Sequence, residues 1–437
     1  MPARPLGARR VTRAGRWRWA GRCGALLLSA WLAGCGGGGG GDPGGAGNGG
    51  EPVAAPPGAD PAPTPDPPAP APPVVVEEPA GRGRTLAVER LLRITAVQVR
   101  EALAALGAQA PPLQATYDVV AWRITYVTLD AEGREVPASG LMAVPVKPPA
   151  ARSPVLSYQH GTIFNNAEAP SNAAHPEAPP ILLAAAGYLV VAADYVGYGV
   201  SQGTPHPYLL SAPGAAAVVD LLVAAHNWRA RNSIAGNGQL FLAGYSEGGY
   251  TTMAAHRALE ADKDAALAVL RAALVSVVPG AGPYHLAATL DALLEQIRDD
   301  NPLLAALIDP GFLRHLGSSV RAEVRRALVR KLLPGDADVA FDTRFIDAYL
   351  DDDRDKIERQ SNVHDWRPTL PVRLFHGRDD RTVPYVSSSS TLQAMQARAA
   401  PDVSLVDCRA APAGHLECVP GYFAYMLGML AAHVRDL

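Results

Sequence analysis

The sequence predicts an α/β fold, a mostly parallel central sheet flanked by helices and carrying an inserted helical cap. Three observations predict it. Short apolar runs recur from residue 153 onward, they alternate with helical stretches such as GAAAVVDLLVAAHNWRAR, and a polar, helix-rich stretch at about 283–365 interrupts that rhythm. Apolar runs without polar alternation mark strands buried on both faces, which is the condition of parallel strands covered by helices.

The chain begins with features that belong to export rather than to the fold. Residues 1–22 hold seven arginines and no acid, and the apolar run GALLLSAWLAG follows and ends at Cys35. A charged stretch followed by an apolar one is the layout of a signal peptide. At about a dozen residues the apolar run is too short to span a bilayer as a stable helix. Leu32-Ala33-Gly34-Cys35 resembles the bacterial lipobox, which implies a signal peptide of residues 1–34, cleavage before Cys35 and a lipid anchor on that cysteine. Gly36 stands where the inner-membrane retention signal carries aspartate, which favours the outer membrane or a periplasm-facing or cell-surface position. The alternative is a plain secretory signal with a later cleavage site. Residues 35–84 are glycine-rich and then proline-rich, with too few large apolar groups to offset their ordering entropy, and predict a disordered tether.

Residues 85–437 suit one large domain with an insertion. The stretch TLAVERLLRITAVQVREALAAL (85–106) predicts a leading helix. VVAWRITYVTLD and ASGLMAVPV predict neighbouring strands joined by the turn AEGRE. Then come the apolar strands SPVLSYQ, YLVVAADY, QLFLAGYS, AALVSVVPG and PVRLFHG. The interruption at 283–365 is long enough to lie as a cap over the carboxyl edge of the sheet.

Two serines sit in a G-x-S-x-G pattern, Ser201 in GVSQG and Ser246 in GYSEGG. A nucleophile on a sharp turn needs a strand running straight into it and a helix starting straight after it. Ser246 has both, QLFLA before and YTTMAAHRALEA after, with Gly244, Gly248 and Gly249 giving room. Ser201 comes several residues after its strand, and the two prolines of TPHPY preclude an immediate helix. Ser246 is therefore the candidate nucleophile and Ser201 a loop residue near it. A serine hydroxyl needs a histidine to accept its proton and a carboxylate to hold that histidine. On such a turn the acid and then the base follow in the chain. Asp379 and Asp380 lie just beyond a strand in LFHGRDDRTVP, and His415 sits in the glycine-bearing loop PAGHLEC. His433, near the end of an apparent helix, reads as a surface residue.

YQHGT, DYVGYG, GYSEGG, HGRDDRTVP and AGHLEC occur in that order, and together they resemble the α/β-hydrolase superfamily. The ASGLMAVP hairpin, SYQHGT and the helical insertion resemble its secretory-lipase-like branch. The resemblance implies an α/β-hydrolase fold and a Ser246, Asp380, His415 triad, with Asp379 as the fallback acid. It implies an oxyanion hole made by the N–H of Glu247 and the Gly161-Thr162 segment. His160 would shape that loop, Asp194, Tyr195 and Tyr198 would order the neighbouring turn, and Tyr198 would be placed to touch substrate. The implied activity is carboxylic-ester hydrolysis through an acyl-enzyme, on a small ester or lipid, with the apolar LAATLDALLEQI and NPLLAALI of the cap suited to acyl chains.

Of four cysteines, Cys23 falls in the signal and Cys35 in the lipobox. Cys408 and Cys418 remain, an even pair in an exported chain, and predict a disulfide around His415. No His/Cys spacing forms a metal site, and the mechanism requires no cofactor. The 39 basic residues less the seven of the signal leave 32 against 42 acidic, a net charge near −10, and no basic cluster points to nucleic acid. Two other readings stand beside esterase: a serine amidase or peptidase on the same fold, and a tethered binding lipoprotein without catalysis.

Overall fold

The computed structural model describes residues 81–262, 264, 267–307, 313–333 and 337–437. The expected signal peptide, Cys35 and the tether as far as residue 80 lie outside the described residues. The chain enters with β1 (Thr85–Ile94), α1 (Ala96–Leu106), β2 (Val119–Leu129) and β3 (Glu135–Pro145). The next stretch holds β4 (Ser153–Gln159), α2 (Pro179–Ala185), β5 (Leu189–Ala193), α3 (Ser211–Arg231), β6 (Gly236–Tyr245), α4 (Glu247–Ala261), α5 (Ala268–Ala273) and β7 (Leu274–Gly280). The cap follows as α6 (Leu286–Asp300), α7 (Pro302–Ala305), α8 (Ser318–Leu332), α9 (Arg344–Leu350) and α10 (Arg354–Gln360). The fold closes with β8 (Val372–His376), α11 (Val386–Ala397), β9 (Val403–Asp407) and α12 (Val419–Ala431). The strands form one sheet in the order β1-β2-β3-β5-β4-β6-β7-β8-β9. Pairing is antiparallel from β1 through the β3–β5 contact and parallel from there on.

The leading helix expected over 85–106 is a strand followed by a helix. β2 would otherwise present an open edge, and residues 85–94 pair along it with Thr85, Val88 and Ile94 buried and Glu89 reaching Arg123 across the strands at 2.9 Å. Two register shifts, between Thr85 and Ala87 and between Arg90 and Leu92, interrupt the period of two and blur the strand pattern in the sequence. Pairing with an open edge thus overrides a weak helical preference. Thr95 marks the change: its hydroxyl accepts from the Gln98 N–H, and the Gln98 side-chain oxygen accepts from the Thr95 N–H, a reciprocal cap that starts α1. Residues 81–84, assigned above to the tether, are already bonded into the fold. The Gly83 N–H donates to Val127 O at 2.9 Å, and Arg82 Nε donates to Asp220 at 3.1 Å.

Both faces of the sheet are covered, as unalternating strands demand. Leu156, Val190 and Phe241 meet Ile181 and Leu183 of α2 and Tyr422 and Met426 of α12. On the other face Leu189, Val191 and Leu242 meet Val218, Leu222 and Trp228 of α3. Each such side chain contributes roughly 1.5–3 kcal/mol by leaving water. A third cluster joins the cap to the sheet's own helices. Leu286, Leu290, Leu293, Leu294 and Ile297 of α6 recur at helical spacing and pack with Leu328 of α8, Phe345 and Tyr349 of α9, Met253 of α4 and Met395 of α11. The apolar residues of α6, expected to suit acyl chains, are therefore spent on holding the cap down. Among the described residues no helix is long and apolar enough to cross a membrane.

Two histidines lie in the seam between cap and sheet. His285, just before α6, and His364, between α10 and β8, stack with ring centroids 3.8 Å apart and planes 5° from parallel. Burial holds both below the usual histidine range; for His364 the neighbouring His285 adds to it and outweighs Glu358 and Asp365, so that it is pushed down to about 4. The folded rings stay neutral where the unfolded chain takes up protons at about 6.5, so the stabilisation is complete above that pH and is lost as pH falls from there towards 4. Melting temperature measured between pH 7.5 and 4.5 is expected to drop by several degrees over this window, and the drop should shrink in His364→Gln.

Candidate active site

β6 delivers Ser246 into a turn so tight that most side chains are excluded from it. Ser246 has φ 61° and ψ −126°, a backbone conformation that costs a non-glycine residue about 1–3 kcal/mol and must be enforced by its surroundings. The enforcement is visible on both sides. A Cβ on Gly244 would stand 2.5 Å from Gly248 O, and one on Gly248 would stand 2.1 Å from Gln159 O, so the turn lies directly on the end of β4. The Ser246 N–H donates to Gly280 O at 2.9 Å, and Ser246 O accepts from the Tyr250 N–H at 3.1 Å, so β7 fixes the entry and α4 the exit.

His415 reaches this hydroxyl from the loop between β9 and α12. Its Nε2 lies 2.9 Å from Ser246 Oγ, and its Nδ1 lies 2.6 Å from Asp380 Oδ2. With Asp380 ionised, Nδ1 carries the proton and donates to it, which leaves the Nε2 lone pair free to accept from the serine. Asp380 Oδ1 accepts from the Thr382 and Val383 N–H groups at 2.9 and 2.8 Å. Burial alone would raise this carboxyl, but His415 and His376 outweigh it by charge and hydrogen bonding and hold Asp380 well below the usual carboxylate range. Asp380 is thus held as the anion at neutral pH. Asp379 faces elsewhere, accepting from the Ala413 N–H at 2.9 Å while its own N–H donates to Ala413 O, so it fastens the histidine loop instead of touching the ring. Tyr245 donates to His415 O at 2.8 Å, and the Cys408–Cys418 disulfide closes the same loop covalently.

The remaining residues named from the sequence fall around this line of contacts. Gly161 lies against Ser246, since a Cβ there would be 3.3 Å from Tyr245 O and 3.6 Å from Ser246 Cβ. Thr162 follows with its hydroxyl 3.3 Å from Tyr208 Oη. Glu247 supplies the first amide of α4, one of the N–H groups that a helix cannot satisfy internally. His160 is buried with Nδ1 donating to Gly161 O at 2.7 Å and its ring on Tyr195, in a shaping position. Asp194 accepts from the Ser139 and Ser171 hydroxyls at 2.6 Å and from the Ser171 N–H at 2.8 Å. Tyr198, expected to be placed to touch substrate, is fully buried, and its hydroxyl donates to Ile163 O at 2.7 Å. Ser201 is closed off too, its hydroxyl accepting from the Gly197 N–H and donating to Tyr198 O. His433 is exposed beyond α12. Among the described residues no group of three or more potential ligands could hold a metal ion.

Two partners of the site escape sequence reasoning. His376, at the end of β8, shares Asp380 with His415: its Nε2 lies 3.2 Å from Asp380 Oδ2 and 2.8 Å from Val383 O, while Nδ1 meets Ser388 Oγ at 2.7 Å. Its place in the HGRDD stretch, four residues before the acid, was the available signal. His206 is the other. Its Nε2 meets Glu247 Oε1 at 2.6 Å with both side chains buried, and its Nδ1 donates to Val196 O. The His206 N–H donates to Ala340 O and its carbonyl accepts from the Asp342 N–H, so this one residue ties the cap to the amino end of α4. Nothing local in TPHPY announces a partner forty-one positions away.

A cavity of about 490 Å³ opens beside these elements, between the β4–α2 segment and α12. Tyr158, Gly161, Thr162, Pro180, Tyr245 and Phe423 are among its walls, which are mainly apolar. That size lies within the range of small-molecule sites.

The profile of the Hydrolase_4 family, described as serine aminopeptidase, S33, matches residues 182–407. The chain belongs to this family of α/β-hydrolases. The matched stretch contains Ser246 and Asp380 and stops short of His415. Among solved structures, the rice cell wall degrading esterase LipA from Xanthomonas oryzae is 25% identical, covers 82% of this chain and 100% of its own, and superposes with a TM-score of 0.62. Its ligand-bound form gives the same values. A protein from Legionella pneumophila, described as a candidate hydrolase, is 22% identical over 80% of this chain and 97% of its own, with a TM-score of 0.62, and shares the fold. Curated protein sequences give no match.

Removing His206 would strand the Glu247 carboxylate in a buried site. His206→Ala is expected to cost about 1–3 kcal/mol, the scale for leaving a buried polar group without its hydrogen-bond partner. Glu247→Gln, which leaves a neutral partner, should cost clearly less. Urea unfolding of both variants measures the difference.

Proposed function

We propose that this protein is a serine carboxylic-ester hydrolase whose triad is Ser246, His415 and Asp380. The observation that carries this reading is the unbroken line from Asp380 through His415 to a serine held in a forced turn at a helix amino end. In this reading Ser246 Oγ attacks the ester carbonyl carbon as His415 Nε2 takes its proton. The carbonyl electrons move onto oxygen, where the Glu247 N–H and the Gly161-Thr162 segment receive the charge, each donor contributing about 3 kcal/mol. Collapse expels the alcohol, which leaves with the proton from His415, and the acyl group stays on Ser246. Water then adds to the acyl carbon, gives its proton to His415, and the acid departs as that proton returns to Ser246.

The esterase named LipA supports the ester class through its 25% identity across the domain. The family description names an aminopeptidase, which would need an unpaired carboxylate to hold a substrate amine. Glu168 in the cavity wall accepts from the Phe164 and Asn165 N–H groups, and Glu247 at the elbow meets His206 through Oε1. The walls of the 490 Å³ cavity suit an apolar acyl or alcohol portion.

Hydrolysis of p-nitrophenyl acetate, butyrate, octanoate and palmitate by the purified protein tests this directly. Turnover is expected to vanish in Ser246→Ala and to persist in Ser201→Ala. Asp380→Asn should lower kcat roughly 10⁴-fold with little change in KM, since the wrong histidine tautomer is then favoured. Turnover undiminished in Ser246→Ala would sink the assignment. Lipid attachment at Cys35 belongs to the same proposal: the full chain should incorporate labelled palmitate in a bacterial host, and Cys35→Ala should not.

A further inference from the structure

The opposite edge of the sheet holds a second cavity, of about 280 Å³, built from the start of β4 and β6, the end of α3, and α5. Its walls include Val155, Val191, Leu222, Leu240, Leu270 and Ala273, and they are mostly apolar. β6 runs from this cavity to the elbow, and the six steps from Leu240 to Ser246 span about 20 Å, so the two cavities are separate.

One wall is a cation with nothing to neutralise it. Arg229, in the last turn of α3, is 9% exposed, and its Nε is buried without a hydrogen-bond partner. Among the described residues no carboxylate pairs with it, and burial by itself pushes the guanidinium down to about 10. His226, one turn earlier in the same wall, is held below its usual range by burial and then by the charge of Arg229. The backbone makes room for it: a Cβ on Gly236 would stand 2.7 Å from Arg229 Nη1. Buried charges are ordinarily paired, because leaving one unpaired is costly. Acidic residues are available elsewhere on this chain, and most of its other arginines have them, as Arg325 has Asp347 and Arg398 has Asp365. The missing partner of Arg229 therefore points to an anion brought from outside, and the apolar walls define what must be attached to it.

We propose that this cavity binds a monocarboxylate with an apolar tail, the carboxylate on Arg229 and the tail along Val155, Leu240 and Leu270. One positive charge calls for one negative charge, which a carboxylate supplies with two oxygens that match a guanidinium. Acids released by ester hydrolysis fall in this class, but the binding itself stands whether or not the ester reading does.

Octanoate is the probe, with octanol and octyltrimethylammonium as controls, added to the full chain in thermal-shift and calorimetric titrations. Octanoate is expected to bind saturably and at least tenfold more tightly than either control. Arg229→Met should abolish that preference, and Arg229→Lys should keep part of it. Ala273→Leu, which fills the cavity and leaves the cation, should also abolish binding, and it decides the matter if Arg229→Met does not fold. Ester turnover by Ser246 should survive in all three. Octanoate binding that is unchanged in Arg229→Met or in Ala273→Leu, or that never saturates in the millimolar range, overturns the proposal. Neither outcome would alter the ester-hydrolysis reading, which is judged by turnover.

Discussion

Everything at the candidate site depends on one close contact, that between the turn after β6 and the end of β4. Gly244 and Gly248 allow the turn to lie on Gln159 O at a separation no Cβ would tolerate. This contact holds Ser246 in a conformation the isolated chain would avoid, and it sets the Gly161 segment beside the same serine. Ser246 and the loop beside it are therefore positioned by a single act of packing. Two neighbouring parallel strands provide it, because the β4–β6 register brings Gln159 opposite Gly244.

The histidine arrives by a different route and is restrained in a different way. Its loop lacks the rigidity of a strand, so several separate ties replace it: Asp379 on Ala413, Tyr245 on the His415 carbonyl, and a disulfide across the loop. Asp380 is fixed more simply, by two backbone N–H groups and two imidazoles. A carboxylate so surrounded has no reason to accept a proton, and its charge is a constant on which the histidine's tautomer depends.

What the sequence made legible was whatever depends on neighbours in the chain. The parallel strands are continuous apolar runs, and Ser246 stands between an apolar run and a helix with glycines on either side, so both are visible locally. Asp380 and His415 follow from order and loop placement. β1 was not visible, because two bulges break its alternation and the reason it is a strand lies in the open edge of β2. His376, His206 and Arg229 were missed for a related reason. Their meaning comes from what stands against them in space, or from the absence of anything there, and residue identity alone carries no trace of it. The α6 residues show the opposite error, where an apolar stretch suited to a substrate turned out to be packing.

The attachment of the cap at His206 has a consequence for how this architecture can vary. The backbone on either side of Phe341 meets the main chain of His206, and main-chain pairing is indifferent to side-chain identity. The helices between β7 and this bridge can therefore change in length and sequence while their point of return stays in register. A helical insertion transplanted from another member of the fold would need to reproduce these three residues of backbone together with the apolar face that α6 lays on α4 and α11.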